Sequence, residues 1–201
     1  MKFVSKIISY IFHPLLAPTI GIFIILNSVE HLSAIHPDAK KWLYILVFVT
    51  TFLFPAISLL FLLWQKLITN VEIDDKKERL LPIIITLTFY YLGYYILGIN
   101  NVSGLLRAFY LSAIISISLS FFINIFWKIS AHMIGIGGLI GLILAISFKQ
   151  NLNLELILII AVLIAGIIGS SRIKLKAHTN LQIIAGFYLG MITVFTTLFL
   201  Y

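Results

Sequence analysis

The sequence predicts an all-α polytopic membrane protein, a bundle of six to seven transmembrane helices, on three observations. The 201 residues are 61% apolar and only 10% charged, whereas a soluble domain of this size needs far more polar surface. The charged residues divide the chain into seven nearly charge-free runs, most of them close to the roughly 20 residues that cross about 30 Å of hydrocarbon as a helix. No run alternates apolar and polar residues as the strands of a membrane barrel do.

The seven runs account for nearly the whole chain. They lie near residues 7–29, 42–65, 80–99, 108–127, 129–148, 156–171 and 179–201. Because only short connections remain between them, we expect one integral membrane domain over residues 1–201. The first run follows two lysines, as in a signal sequence, but it exceeds twenty residues and no small-x-small cleavage site follows. We therefore expect a retained first helix.

Individual runs carry features that refine this architecture. His13-Pro14 and Pro18 should make the first half of run one irregular, and His13 itself fits either a polar cavity wall or an interfacial position. Tryptophans stand at span ends, where an indole buries its ring and keeps its N–H in water. Run five and run seven contain glycines that allow close helix packing. These glycines are Gly135, Gly137, Gly138, Gly141, Gly186 and Gly190.

The basic residues predict the orientation. If all seven runs cross, the N-terminus and the loops near 66–79, 128 and 172–178 share one side and carry ten of the fourteen Lys and Arg residues. The positive-inside rule then places the N-terminus and these loops in the cytoplasm and Tyr201 outside, with the protein in the plasma (inner) membrane. Charges held this close to a bilayer argue against nucleic acid as a partner.

The stretch from Ser171 to Gln182 is a basic, histidine-bearing segment between runs six and seven, and we interpret it as a loop. Arg172 can hold a phosphate by two parallel hydrogen bonds, and a neutral His178 can attack phosphorus and carry it covalently. Neither role requires a metal. The alternative is that Arg172 and the neighbouring lysines only anchor a membrane helix at the cytoplasmic face.

Two further polar segments lie at the starts of runs three and five. The segment from Glu72 to Pro82 is the most charged of the chain. Its acids would suit magnesium on a prenyl diphosphate, as in membrane prenyltransferases, its Lys77 and Arg79 would suit a direct phosphate contact, and a solvated charge run is a third interpretation. Ser130-Ala131-His132 opens run five, where the helix dipole favours a neutral imidazole.

The parity of the spans brings these segments together. Two spans separate the Arg79 segment from His132, and two more separate His132 from His178. All three segments therefore end on the same face of the membrane, where they can converge on one site.

The three segments resemble the motifs of the type 2 phosphatidic acid phosphatase superfamily of membrane lipid phosphatases. The family's third motif reads Ser-Arg, five residues, His, three residues, Asp; this chain has Ser171-Arg172, His178, and Gln182 at the Asp position. The second reads Pro-Ser-Gly-His, against Ile129-Ser130-Ala131-His132 here. The first reads Lys, six residues, Arg-Pro. Here Glu72 takes the Lys position, with Lys76 or Lys77 nearby, and two leucines separate Arg79 from Pro82.

The resemblance implies a phosphohydrolase that uses neither metal nor cofactor. His178 would attack phosphorus and His132 would protonate the leaving oxygen. The phosphoryl oxygens would be held by Arg172, Arg79, Lys77, Lys76, Ser130 and Ser171. The substrate would be a membrane lipid with a phosphate or diphosphate head group, such as phosphatidic acid, phosphatidylglycerol phosphate or a polyprenyl diphosphate.

Two departures from the family pattern leave an alternative open. Gln182 can accept the His178 N–H but supplies no negative charge, and loss of the carboxylate in an analogous triad is costly. Either Asp74, Asp75 or Glu78 replaces it, or the protein is an inactive relative that binds or transports a phospholipid or polyprenyl phosphate. Two extra spans between the first and second motifs also depart from the family's six-helix plan. The sequence allows a homo-oligomer without requiring one.

Overall fold

The computed structural model describes residues 2–70, 73 and 78–201, and every regular element in those ranges is a helix. The ten α-helices are α1 (Lys2–Ile11), α2 (Ala17–Ser28), α3 (Glu30–Ser33), α4 (Pro37–Phe48), α5 (Phe54–Trp64), α6 (Leu80–Ile99), α7 (Gly104–Phe126), α8 (Ala131–Gln150), α9 (Glu155–Lys174) and α10 (Asn180–Leu200). A 3-10 turn, Pro14–Leu16, joins α1 to α2, and a π-helical turn, Val49–Leu53, joins α4 to α5.

These helices form seven segments that are long and apolar enough to cross a bilayer within the described ranges. The segments are Lys2–Ser28, Pro37–Trp64, Leu80–Ile99, Gly104–Phe126, Ala131–Gln150, Glu155–Lys174 and Asn180–Leu200. The prediction of an all-α polytopic bundle is confirmed. Several helices extend beyond the charge-free runs, because a helix continues into the polar interface while its long basic side chains reach water.

The first span is interrupted where its prolines stand. Pro14 cannot donate a backbone hydrogen bond, so α1 ends at Ile11 and the 3-10 turn precedes α2. His13 caps that turn, and its Nδ1 accepts a hydrogen bond from the Leu15 N–H at 3.4 Å. The interruption places His13 between two helical segments, where its ring can face the interior of the bundle.

The centre of the bundle is α8, packed against α10. About two-thirds of the membrane-spanning part of α8 is buried, against one-third or less in every other span. A Cβ atom added at Gly137, Gly141 or Gly190 would collide with a backbone carbonyl of the other helix. The two backbones are therefore in direct contact, which fixes the start of α10 relative to the start of α8.

Candidate functional site

The site is built at the end of the bundle where α6, α8 and α10 begin and α9 ends. Ser171 and Arg172 lie in the last turn of α9, which continues to Lys174. The interpretation of 171–182 as a loop was therefore wrong for its first four residues, and also for its last three, which begin α10. Cationic side chains stabilise the C-terminal turn of a helix, and Arg172 and Lys174 occupy that turn.

The connection from α9 to α10 is a tight, doubly capped turn. Lys176 adopts the left-handed conformation at φ 56°, and its N–H donates to Ile173 O while the Ala177 N–H donates to Arg172 O. This is a Schellman motif with lysine where glycine is more usual. Thr179 then caps α10 in a capping box with Gln182. His178 therefore lies between the C-terminal cap of α9 and the N-terminal cap of α10.

Four of the predicted site residues line one cavity of about 260 Å³: Arg79, His132, Arg172 and His178. Ser130, Ser171 and Gln182 are not in its described wall. Lys76 and Lys77, together with Glu72, Asp74 and Asp75, lie outside the described residues. The structure therefore brings one residue of the first predicted segment, one of the second and two of the third to the same cavity.

His178 has a defined proton arrangement. Its Nδ1 lies 3.2 Å from Gln182 Oε1, and the same oxygen accepts the Thr179 backbone N–H at 3.1 Å. A backbone N–H can only donate, so the oxygen of the Gln182 amide is the atom facing both groups, and His178 Nδ1 must carry the hydrogen. In the neutral ring, Nε2 then keeps its lone pair.

The His178 ring is neutral at physiological pH. Burial, the Arg79 charge and the Arg172 charge lower the pKa of His178 from 6.5 to about 3, while the Gln182 contact acts weakly in the other direction. The side chain is 8% exposed. Acidification to about pH 5 therefore leaves this imidazole unprotonated.

His132 and Arg172 are both positioned by α1. His132 Nε2 lies 3.1 Å from the Ser9 carbonyl oxygen, and since a carbonyl only accepts, Nε2 carries the hydrogen and Nδ1 is left to exchange protons. Arg172 Nη1 donates to Ser9 Oγ at 3.2 Å. One turn of α1 thus orients a histidine and an arginine from two other helices.

Arg79 is held at the opposite wall by two carbonyl groups. Its Nε donates to Ile73 O at 2.8 Å and its Nη1 to Ile129 O at 3.4 Å. The second contact joins the start of α6 to the residues before α8. Arg79 is partly buried and lines the cavity.

The two predicted serines lie behind the cavity wall. Ser130 is fully buried at the N-cap of α8, and its N–H donates to Gln182 O at 3.4 Å. Its Oγ has no hydrogen-bond partner among the described residues. Ser171 Oγ donates to Ile167 O in its own helix at 2.8 Å.

The wall also contains polar residues outside the predicted set, among them Ser9, His13 and Asn124. The His13 and His132 rings meet edge to face, with 5.8 Å between centroids. Asn124 is 4% exposed, donates its amide to Ser120 O at 2.7 Å, and has no partner for Oδ1 among the described residues. That oxygen can accept a hydrogen bond from a bound hydroxyl group or water. His13 occupies a cavity wall, one of the two positions that the sequence allowed, whereas Ser9 and Asn124 are isolated polar residues inside apolar runs and gave no sequence signal.

The cavity carries positive charge without an acid in its described wall. Its charged lining residues are Arg79 and Arg172. Glu78, the described candidate for replacing the missing carboxylate, instead accepts hydrogen bonds from Thr69 through Oε2, at 2.8 Å from the backbone nitrogen and 3.0 Å from the hydroxyl. Two guanidinium groups with imidazole rings beside them suit a phosphate or another oxyanion.

Comparison with known proteins finds no match to this chain among protein-family models, curated proteins or solved structures.

Proposed function

We propose that this membrane protein is a metal-independent lipid phosphatase, related to the type 2 phosphatidic acid phosphatases, that forms a phosphohistidine intermediate. The observation that carries the proposal is the arrangement of His178. Its Nδ1–H donates to Gln182, its Nε2 lone pair is unprotonated, and it shares one cavity with Arg79, Arg172 and His132. A nucleophile, an acid–base group and two cations are the components that phosphoryl transfer requires.

In the first step, His178 Nε2 attacks the phosphorus of a lipid phosphate. The N–P bond forms as the bond from phosphorus to the lipid oxygen breaks, and the bonding electrons leave with that oxygen. A monoanionic phosphate brings its own proton into the site, and His132 Nδ1 relays that proton to the leaving oxygen. Arg79 and Arg172 stabilise the charge on the remaining oxygens.

In the second step, water attacks the phosphohistidine and His132 Nδ1 accepts its proton. The N–P bond breaks, its electrons return to His178 Nε2, and inorganic phosphate leaves with the proton that His132 Nδ1 returns to it. The net reaction converts a lipid phosphomonoester and water into a lipid alcohol and phosphate, and a lipid diphosphate and water into the lipid monophosphate and phosphate. Candidate substrates are phosphatidic acid, phosphatidylglycerol phosphate and polyprenyl diphosphate.

A second candidate, a carrier or binder of a phosphorylated lipid, is favoured by one observation. The amide of Gln182 supplies no negative charge to the imidazolium that develops as His178 attacks. An enzyme with this constellation loses transition-state stabilisation that a carboxylate would provide, whereas a binding protein loses nothing.

The test is phosphate release from these three lipids by purified protein in detergent with a chelator present. We expect release by the wild type, loss of at least about 10³-fold in His178→Ala, consistent with removal of a covalent nucleophile, and an acid-labile phosphoenzyme in the wild type only. His36→Ala is the matched control, since His36 is an exposed histidine at another loop. Lipid binding without release from any of the three lipids would reject the phosphatase and favour the carrier.

A further inference from the structure

The cavity continues from its cationic end into the apolar interior of the bundle. Along α6 its lining includes Tyr90, ten residues beyond Leu80, and along α8 it includes Leu139, eight residues beyond Ala131. At about 1.5 Å per residue these positions lie about 15 Å and about 12 Å from the polar end. The lining therefore extends to roughly half the thickness of a hydrocarbon core of about 30 Å.

The walls of this inner part suit hydrocarbon. They are formed largely by apolar residues, including Leu59, Ile83, Ala113, Ile117 and Val194. Three of the hydroxyl groups that line it are satisfied within their own helices: Thr86 donates to Pro82 O, Ser116 to Ser112 O and Ser120 to Ile117 O, at 2.8 to 2.9 Å. An apolar occupant would leave none of these donors unpaired.

The inner end is closed by two buried aromatic rings. Tyr90 is 3% exposed and Phe109 4%. The Phe109 ring lies against Gly21, where an added Cβ atom would collide with it. The backbone of α2 therefore packs directly against the ring.

We infer that the inner cavity holds one hydrocarbon chain of the phosphorylated lipid, and that Phe109 limits the length of that chain. The inference rests on the proposed function only in assigning the chain to a lipid whose phosphate lies between Arg79 and Arg172. A volume of about 260 Å³ lies just below the roughly 300 to 1,000 Å³ of drug-sized ligand sites. It therefore accommodates one chain, and a second chain must remain in the bilayer.

The test measures binding and turnover separately. Single-chain alkyl phosphonates of increasing length, which cannot be hydrolysed, compete with a fluorescent alkyl phosphonate, and the matching alkyl phosphates serve as substrates. We expect affinity to rise with chain length to a limit and then level off or fall. Phe109→Leu should move that limit to longer chains. Ala113→Leu adds a larger side chain to the cavity wall and should lower the affinity for the longest bound chain at least about tenfold, as for a changed methylene in an apolar pocket.

Phe122→Leu is the matched control, because Phe122 lies on α7 and is 61% exposed; its length profile should equal that of the wild type. If affinity does not depend on chain length, or depends on it in the same way in all variants, the inference is overturned even if phosphate is released. Length-dependent binding without release would support the inference and reject the phosphatase. Ala113→Leu keeps the test decisive if Phe109→Leu fails to fold.

Discussion

Gln182 is the residue at which the chain departs most sharply from the phosphatase pattern, and it can be tested by substitution. Gln182→Glu keeps an oxygen acceptor for His178 and for the Thr179 N–H, so the capping box survives. The added carboxylate stabilises the imidazolium that forms during attack. We expect kcat/KM to rise by at least about tenfold, since removing the analogous carboxylate from a serine-protease triad costs about 10⁴ in kcat.

The pH dependence of this gain follows from the pKa of His178. In the wild type that pKa is about 3, so the neutral, nucleophilic ring persists throughout roughly pH 5 to 8. The carboxylate introduced by Gln182→Glu favours the protonated ring and raises this pKa. As the pH is lowered, the variant therefore loses activity at a higher pH than the wild type. The ratio of variant to wild-type kcat/KM should therefore fall as pH is lowered. A ratio that is constant with pH would show that His178 is not the titrating nucleophile.

A control separates the catalytic effect from the helix cap. Gln182→Ala removes both contacts and should cost about 1 kcal/mol of stability through the lost capping interaction. It should also lower kcat/KM. Equal activity of the Gln182→Ala variant and the wild type would remove Gln182 from the mechanism.

The contact between α8 and α10 determines whether the site can form, because His132 lies in the first turn of α8 and Gln182 in the first turn of α10. Gly190 has no space for a side chain, since its Cβ would meet the Ile134 carbonyl. Gly190→Ala should destabilise the protein by about 1 to 3 kcal/mol, the usual cost of overpacking. Thermal unfolding in detergent measures the effect.

Gly166 provides the matched control within a helix. No atom lies within 4 Å of a Cβ added there, so Gly166→Ala should be neutral or stabilise by up to about 1 kcal/mol through helix propensity. If both substitutions are neutral, the two helices are not in close backbone contact.

At the scale of the whole molecule, seven crossings require the two termini to lie on opposite sides of the membrane. The basic residues predict that the N-terminus and the site face the cytoplasm. A reporter that is active only on the non-cytoplasmic side should therefore be active when fused after Tyr201. The same reporter fused before Lys2 should be inactive. Activity at both positions or at neither would mean that one of the seven helices does not cross.

The sequence was sufficient to predict the membrane spans because crossing a bilayer imposes a length and a composition that can be counted. It was also sufficient to predict that Arg79, His132 and His178 lie on one face, because that depends only on the number of spans between them. The hydrogen-bond partners of these residues could not be predicted in this way. His132 is bonded to a carbonyl 123 residues away, and Lys176 adopts a left-handed conformation that glycine would have signalled.

The contact between Ser9 and Arg172 also has a consequence for synthesis. The two residues are 163 positions apart, and at about 5 to 20 residues per second a ribosome needs roughly 8 to 33 s to make the intervening chain. During that interval the newly made amino-terminal helix lacks Arg172, the arginine that donates to Ser9. The cavity can be completed only after the sixth and seventh spans have been made, so a chain terminated before them lacks Arg172 and His178 of the cavity wall.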